Sequence, residues 1–242
     1  MEEKYQDLYQ LKVLDYNRYD LLAPHGVLDI MQDISGKHCN TYGMTFEELL
    51  SQNKIWVLLR VKYKVFENIK LYSKVRVTTW PKKKGLVDFD RETQITDLQG
   101  NVMINGISKW VILDSNTRKI VPAKYIEYNA LIPNDSLFND RFDRIKDFNI
   151  EGLQHYHQRI EFCDVDHNGH TNNAKYACIL LNALRLKEDE VIDTFQIDYV
   201  HESRLDDTLM VYYYKENKTY FAKAICQETK ATIFLAKIDL KD

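Results

Sequence analysis

Residues 164–176 read DVDHNGHTNNAKY, a stretch holding two Asp, two His and three Asn. A turn favours polar residues, but it does not need this many groups able to exchange protons or donate hydrogen bonds. Asp166, Asn168 and His170 alternate along the chain. On an extended segment, positions i, i+2 and i+4 face one side. That side would present a carboxylate, an amide and an imidazole together, the parts of a general acid–base site. The neighbours read differently. Asp164 is expected to act as a structural acceptor, and His167, out of register, is expected in solvent. Asn172 and Asn173 are expected to cap a helix, and Cys163 and Cys178 to be small core residues.

The elements around this stretch must hold it in place. NNAKYACILLNALRL (172–186) has helical spacing, with Ala174, Ala177, Cys178, Leu181 and Leu184 along one side. Thr171 or Asn172 is its expected N-cap. The N-terminus of such a helix offers unpaired N–H groups and the positive end of its dipole. A strand is expected over 156–166 before the site. Four more follow it at 194–202, 207–217, 218–228 and 229–240. The first half follows a similar plan. An entry strand leads to a helical pattern within 26–43, then to strands at 55–67, 74–81, 87–97 and 102–114, with SNTRKIV (115–121) as a closing hairpin. Residues 61–77 lie over 197–211 with a small gap, an internal repeat. The polar stretch 133–152 reads as a crossing linker with a helical turn or two around 138–147. The domains expected are thus an N-terminal repeat (1–135), a linker (136–152) and a C-terminal repeat (153–242).

Composition narrows the class. The 242 residues carry 45% hydrophobic and 29% charged side chains, the balance of a soluble globular protein. A net charge of −3 gives no overall attraction to nucleic acid or an anionic membrane. The first twenty residues lack the pattern of a signal peptide, and no apolar run is long enough to span a bilayer. The four cysteines form no CxxC pair and have neither zinc nor disulfide spacing, so a cytoplasmic setting is expected. The KKK at 82–84 reads as a solvated turn. Its sharper alternative is a landing patch for an acidic protein.

Two motifs in this setting resemble one family. D-x-D-x-N-x-H-x-N-N stands here as Asp164, Asp166, Asn168, His170, Asn172 and Asn173. Y-x-x-E-C-x-x-D stands here as YVHESRLD (199–206), with Ser203 where the family often has Cys. Together with IWVLLRVKYKV, VRVTTWP and SKWVILDSNTRKI in the first half, they resemble the acyl-ACP thioesterases of plant plastids and bacteria. The resemblance runs from about residue 10 to 240 and implies an α+β double hotdog, two tandem repeats that each wrap a long helix in an antiparallel sheet. It also implies a catalytic network of Asp166, Asn168, His170 and Glu202, working without metal or organic cofactor.

The implied reaction is hydrolysis of the thioester of acyl-[acyl carrier protein], releasing free fatty acid in fatty acid biosynthesis. The implied partner is acyl carrier protein with its phosphopantetheine-linked acyl chain, with no nucleic acid, no membrane, and a homodimer left open. Asp166 or Glu202 would activate water, or Asp166 would attack directly. Asn168 would hold the carbonyl or the water, and His170 would help the thiolate leave. The first half has Asp20, Pro24 and Gly26 roughly where the second has Asp164, Asn168 and His170. This implies one active site per chain, with the first half lining the acyl tunnel. Three alternatives stand beside this reading. They are an acyl-CoA thioesterase of the same fold, a dehydratase of the same fold, and a non-catalytic acyl-thioester sensor.

Overall fold

The computed structural model describes residues 3–138, 142–166 and 169–242. It divides into two compact units. Residues 1–13 group with 29–141, and residues 14–28 group with 142–242.

In the first unit, strands β1 (Tyr5–Gln10), β2 (Lys54–Val65), β3 (Lys74–Pro81), β4 (Asp88–Thr96) and β5 (Val102–Asp114) pair in the order β1-β3-β4-β5-β2. The pairings are antiparallel, with registers such as Tyr5↔Thr79, Val77↔Ile95 and Ile95↔Ile104. The alternation seen in the sequence sets the faces: Val75, Val77 and Thr79 of β3 are buried. Helix α1 (Pro24–Asn40), which belongs to this unit from Asp29 onward, buries Val27, Leu28, Ile30, Met31 and Ile34, the apolar positions of its periodic pattern. Pro24 opens it, where a missing N–H costs nothing. Met31 packs over the bare backbone of Gly106, where a β-carbon would lie 2.6 Å from its Cε.

A short helix, α2 (Phe46–Ser51), was not foreseen. Thr45 and Glu48 close a capping box, Glu48 N–H donating to Thr45 Oγ1 at 3.1 Å and Thr45 N–H to Glu48 Oε2 at 2.9 Å. TFEE carries the Thr-x-x-Glu signature that signals it. The segment 115–121 makes a turn and one bridge, Leu113↔Ile120, rather than a strand hairpin.

Arg91 of β4 is buried at 4% exposure. It donates to Tyr42 Oη at 2.7 Å, His38 Nδ1 at 2.9 Å and Thr79 Oγ1 at 3.3 Å. Its neighbours are neutral acceptors, and burial pushes the Tyr42 phenol well above its ordinary range. Arg91→Met should therefore lower unfolding stability by about 3 kcal/mol, because several buried acceptors lose their donor at once. A denaturation midpoint equal to wild type would show that these bonds add nothing.

The second unit repeats the strand order. Strands β6 (His155–Arg159), β7 (Ile192–Tyr199), β8 (Thr208–Glu216), β9 (Thr219–Cys226) and β10 (Thr232–Leu240) pair as β7-β10-β9-β8-β6. Helix α3 (Asn173–Leu184) buries Ala174, Tyr176, Ala177, Ile179, Leu180, Ala183 and Leu184. Cys178 and Leu181, expected on the core side, are only half-buried, so the core face is turned toward Tyr176, Leu180 and Ala183.

The strand expected over 156–166 stops at Arg159 and is followed by a 3₁₀ turn at Phe162–Asp164. That turn leaves Cys163 exposed rather than in the core. No helix forms among the described residues of 138–147. Their polar groups go to the sheet instead. Ile145 N–H donates to Asp198 Oδ2 at 2.9 Å, and Gln196 Nε2 donates to the Asp143 carbonyl at 2.9 Å. Among the described residues, no helix is long and apolar enough to cross a membrane.

Candidate active site

The polar stretch before α3 is a chain reversal. Val165 and Thr171 form an antiparallel bridge. Inside it, Asp166 N–H donates to the His170 carbonyl at 2.9 Å and Gly169 N–H to the Asp166 carbonyl at 3.0 Å. Gly169 has φ +77°, a conformation open to glycine without a Cβ penalty. Asp166 and His170 are thus opposite members of a tight reversal, not successive positions on one side of an extended segment. Gly169 is the turn residue that outweighs the alternation. Asn168, expected in the network, and His167, expected in solvent, lie outside the described residues.

The reversal leads directly into α3. Asn172 is the N-cap, its Oδ1 accepting Ala174 N–H at 2.8 Å. His170 therefore stands two residues before the cap, beside the positive end of the helix dipole. Asp164 is structural. Its carbonyl accepts Asn172 N–H at 2.9 Å and its carboxylate accepts Glu161 N–H at 3.0 Å.

Glu202 arrives from the segment after β7. Its Oε2 lies 3.1 Å from His170 Nε2, with side-chain exposures of 36% and 24%. A carboxylate at this distance accepts the imidazole N–H, orients the ring and stabilises the imidazolium once it forms. Residues 170 and 202 are far apart in sequence, so this pairing is a product of the fold.

Ser203 is placed quite differently. It is fully buried, and its polar groups close a ring of hydrogen bonds. Ser203 N–H donates to Tyr176 Oη at 3.0 Å, and Tyr176 Oη bonds Ser203 Oγ at 2.9 Å. Ser203 Oγ bonds Thr171 Oγ1 at 2.8 Å, and Thr171 Oγ1 donates to the Ser203 carbonyl at 3.1 Å. Thr171 N–H donates to the same carbonyl at 2.9 Å. Burial raises the Tyr176 pKa, so the phenol stays protonated and can complete the ring. These bonds fasten the Glu202 segment to the reversal and to α3. Tyr176, which follows the motif in sequence but had no role assigned to it there, is thus a positioning residue. The signal available was a tyrosine four residues past the N-cap, one helical turn from it.

Tyr176→Phe should leave the Ser203 N–H without an acceptor. The expected loss is about 1–2 kcal/mol of stability, together with a fall in turnover as Glu202 loses its anchor. Thermal denaturation and steady-state kinetics would measure both, and an unchanged kcat would remove Tyr176 from the positioning role.

The reversal has a twin at the start of the second unit. A 3₁₀ turn at Val13–Asp15 precedes a Tyr16↔Leu22 bridge. Asn17 N–H donates to the Leu21 carbonyl at 2.9 Å, Asp20 N–H to the Asn17 carbonyl at 3.2 Å, and Ala23 N–H to the Asp15 carbonyl at 2.8 Å. The match sets Asn17 against Asp166, Asp20 against Gly169 and Leu21 against His170. The register expected from sequence, Asp20 with Asp164 and Gly26 with His170, was displaced by several residues. Similar polarity misled it, because the hydrogen bonds that define the repeat are backbone bonds. The twin keeps the scaffold and has neither the carboxylate nor the imidazole.

Asp207, Cys226 and Glu228 bring ligand-type atoms within 4.8 Å of one another. Their groups already serve the strand ends. Asp207 accepts Arg204 N–H, and Glu228 accepts Thr208 N–H and the Cys226 thiol. They make no case for a metal centre.

The profile of the acyl-ACP thioesterase N-terminal domain matches residues 2–127, and that of the C-terminal domain matches residues 148–241. The chain belongs to the acyl-ACP thioesterase family. It is 24% identical over 203 residues to a chloroplastic acyl-[acyl-carrier-protein] hydrolase of Cuphea viscosissima, covering 76% of this chain and 48% of that protein. The chain thus spans about half the length of the curated relatives it matches. In structure it resembles an acyl-ACP thioesterase from Bacteroides thetaiotaomicron, with TM-score 0.89, 19% identity and coverage of 99% and 98% of the two chains. It also resembles the 12:0-ACP thioesterase from Umbellularia californica, with TM-score 0.87, 17% identity and coverage of 100% and 98%. The fold of this acyl-ACP thioesterase family member is the α+β double hotdog, and the repeated strand order is its signature.

Proposed function

We propose that this chain hydrolyses the thioester of acyl-[acyl carrier protein] to release free fatty acid in fatty acid biosynthesis. The observation that carries the reading is the His170–Glu202 pair, 3.1 Å apart beside the N-terminus of α3. Membership of the thioesterase family and the names of its relatives support this choice of substrate.

The chemistry follows from the parts. The N-terminal end of α3 favours the negative charge that develops on the carbonyl oxygen. His170 and Glu202 act as one acid–base couple that takes a proton from the attacking water. The C–S bond breaks, and the same proton returns to the departing thiolate of phosphopantetheine. Asp166, facing His170 across the reversal, supplies a second carboxylate to orient the water. The buried, fully bonded Ser203 takes no part as a nucleophile. The twin reversal, with Asn17 and Leu21, supports one active site per chain and an acyl-lining role for the first half. A cytoplasmic setting belongs to the same reading, supported by four free cysteines.

The test separates a catalyst from a sensor. Acyl-[acyl carrier protein] in excess over the chain should yield many equivalents of free thiol per active site. A sensor would bind the same ligand with no thiol released, and that outcome would end the hydrolase reading.

A further inference from the structure

The three lysines at 82–84 do not form a merely solvated turn. Lys82 pairs at 3.0 Å with Glu92, which is fully buried. Lys84 Nζ donates to the carbonyls of Ala123 at 3.0 Å and Ile126 at 3.1 Å. Ala123 N–H donates to the Leu86 carbonyl at 2.9 Å. These bonds hold the loop between β3 and β4 against the segment 120–132.

Between the two lies a cleft of about 410 Å³ with Lys83, Lys84, Leu86, Lys124, Tyr128 and Ile132 in its walls. Three of these are lysines, and no carboxylate lines it among the described residues. Lys84 bonds neutral carbonyls rather than a carboxylate. Lys83 makes no hydrogen bond or ion pair among the described residues, and Lys124 lies over the Tyr125 ring. Two acids stand near the cleft in sequence: Asp88, whose carboxylate lies beside Gly85 and pairs with Lys109, and Glu127, which accepts from Asn129 at 3.4 Å. Apolar surface stands open beside this charge: Leu86 is 89% exposed and Tyr125 65%. On a chain of net charge −3, this is a local reversal of sign joined to an uncovered apolar patch.

We propose that this cleft is the docking surface for the acidic carrier protein that presents the acyl thioester. The inference rests on the function proposed above. The volume admits one or two apolar side chains, not a folded body, so the matching partner surface is an acidic helix face with an apolar side chain at its centre. Lys83 and Lys124 meet its carboxylates, and Leu86 meets its apolar residue. Charge pairs at such a rim govern encounter and salt dependence more than chemistry. The surface therefore acts on capture of the carrier and leaves the bond-breaking step alone.

The experiment compares wild type with the double variant Lys83→Glu/Lys124→Glu on two substrates of equal acyl length, acyl-[acyl carrier protein] and acyl-pantetheine. Both positions are exposed, and circular dichroism checks folding. The expected result is a KM for the carrier-linked substrate raised about tenfold or more at low salt, with kcat and the acyl-pantetheine kinetics unchanged. Added salt should narrow the gap by weakening wild type. An unchanged KM in a variant that still hydrolyses acyl-[acyl carrier protein] would overturn the docking surface and leave the hydrolase reading standing. Acyl-pantetheine hydrolysis with no turnover of the carrier-linked substrate by wild type would overturn both. If wild type instead sediments with phosphatidylglycerol vesicles and the variant does not, while KM is unchanged, the patch binds membrane and the proposal fails.

Discussion

His170→Ala is expected to lower turnover of the acyl thioester by about 10²–10⁴-fold, the usual contribution of a positioned acid–base group. The fold should survive. The reversal that carries His170 is held by backbone bonds, Asp166 N–H to the His170 carbonyl and the Val165↔Thr171 bridge, neither of which needs the imidazole. The ring is partly open to solvent at 24% exposure, so its removal leaves no buried cavity. Asp166→Ala should fall in the same range, for the same reason. Steady-state kinetics with circular dichroism as the folding control measure both. Wild-type turnover in either folded variant would remove that residue from the mechanism.

The second large effect separates two mechanisms. Glu202→Gln should lose most activity, because glutamine keeps the size of the side chain but cannot accept a proton or stabilise an imidazolium 3.1 Å away. Ser203→Ala should keep substantial activity. Its hydroxyl is enclosed between Tyr176 and Thr171 and has no exposed surface through which to reach a thioester. Losing that hydroxyl should cost about 1 kcal/mol of stability, the net worth of a typical hydrogen bond. A dead Ser203→Ala beside an active Glu202→Gln would transfer the nucleophile to Ser203 and discard the carboxylate mechanism.

Much of this is legible in the sequence. The bounds of strands β2 to β5 were read to within a residue or two, and alternation is clearest in β3. The two motifs located His170 and Glu202, and Asn172 capped α3 as its residue type favours. The rest depended on competition between local and distant partners. The alternation of Asp166 and His170 was real, but it lies in a reversal that Gly169 turns at φ +77°. The linker was charged enough to read as partly helical, yet Asp143 and Ile145 bond the sheet. The core face of α3 was misjudged because Tyr176 is amphipathic. Its ring is buried while its hydroxyl serves Ser203, a pairing that only tertiary structure reveals. The buried Arg91 has no carboxylate to advertise it.

One measurement bears most directly on the central claim: steady-state release of free fatty acid from acyl-[acyl carrier protein] and from acyl-CoA over a range of chain lengths. The expected result is multiple turnover on the carrier-linked substrate, with a higher kcat/KM than on the CoA thioester at the preferred length. The contradicting result is no release from any acyl-[acyl carrier protein], or a higher kcat/KM on acyl-CoA at every length.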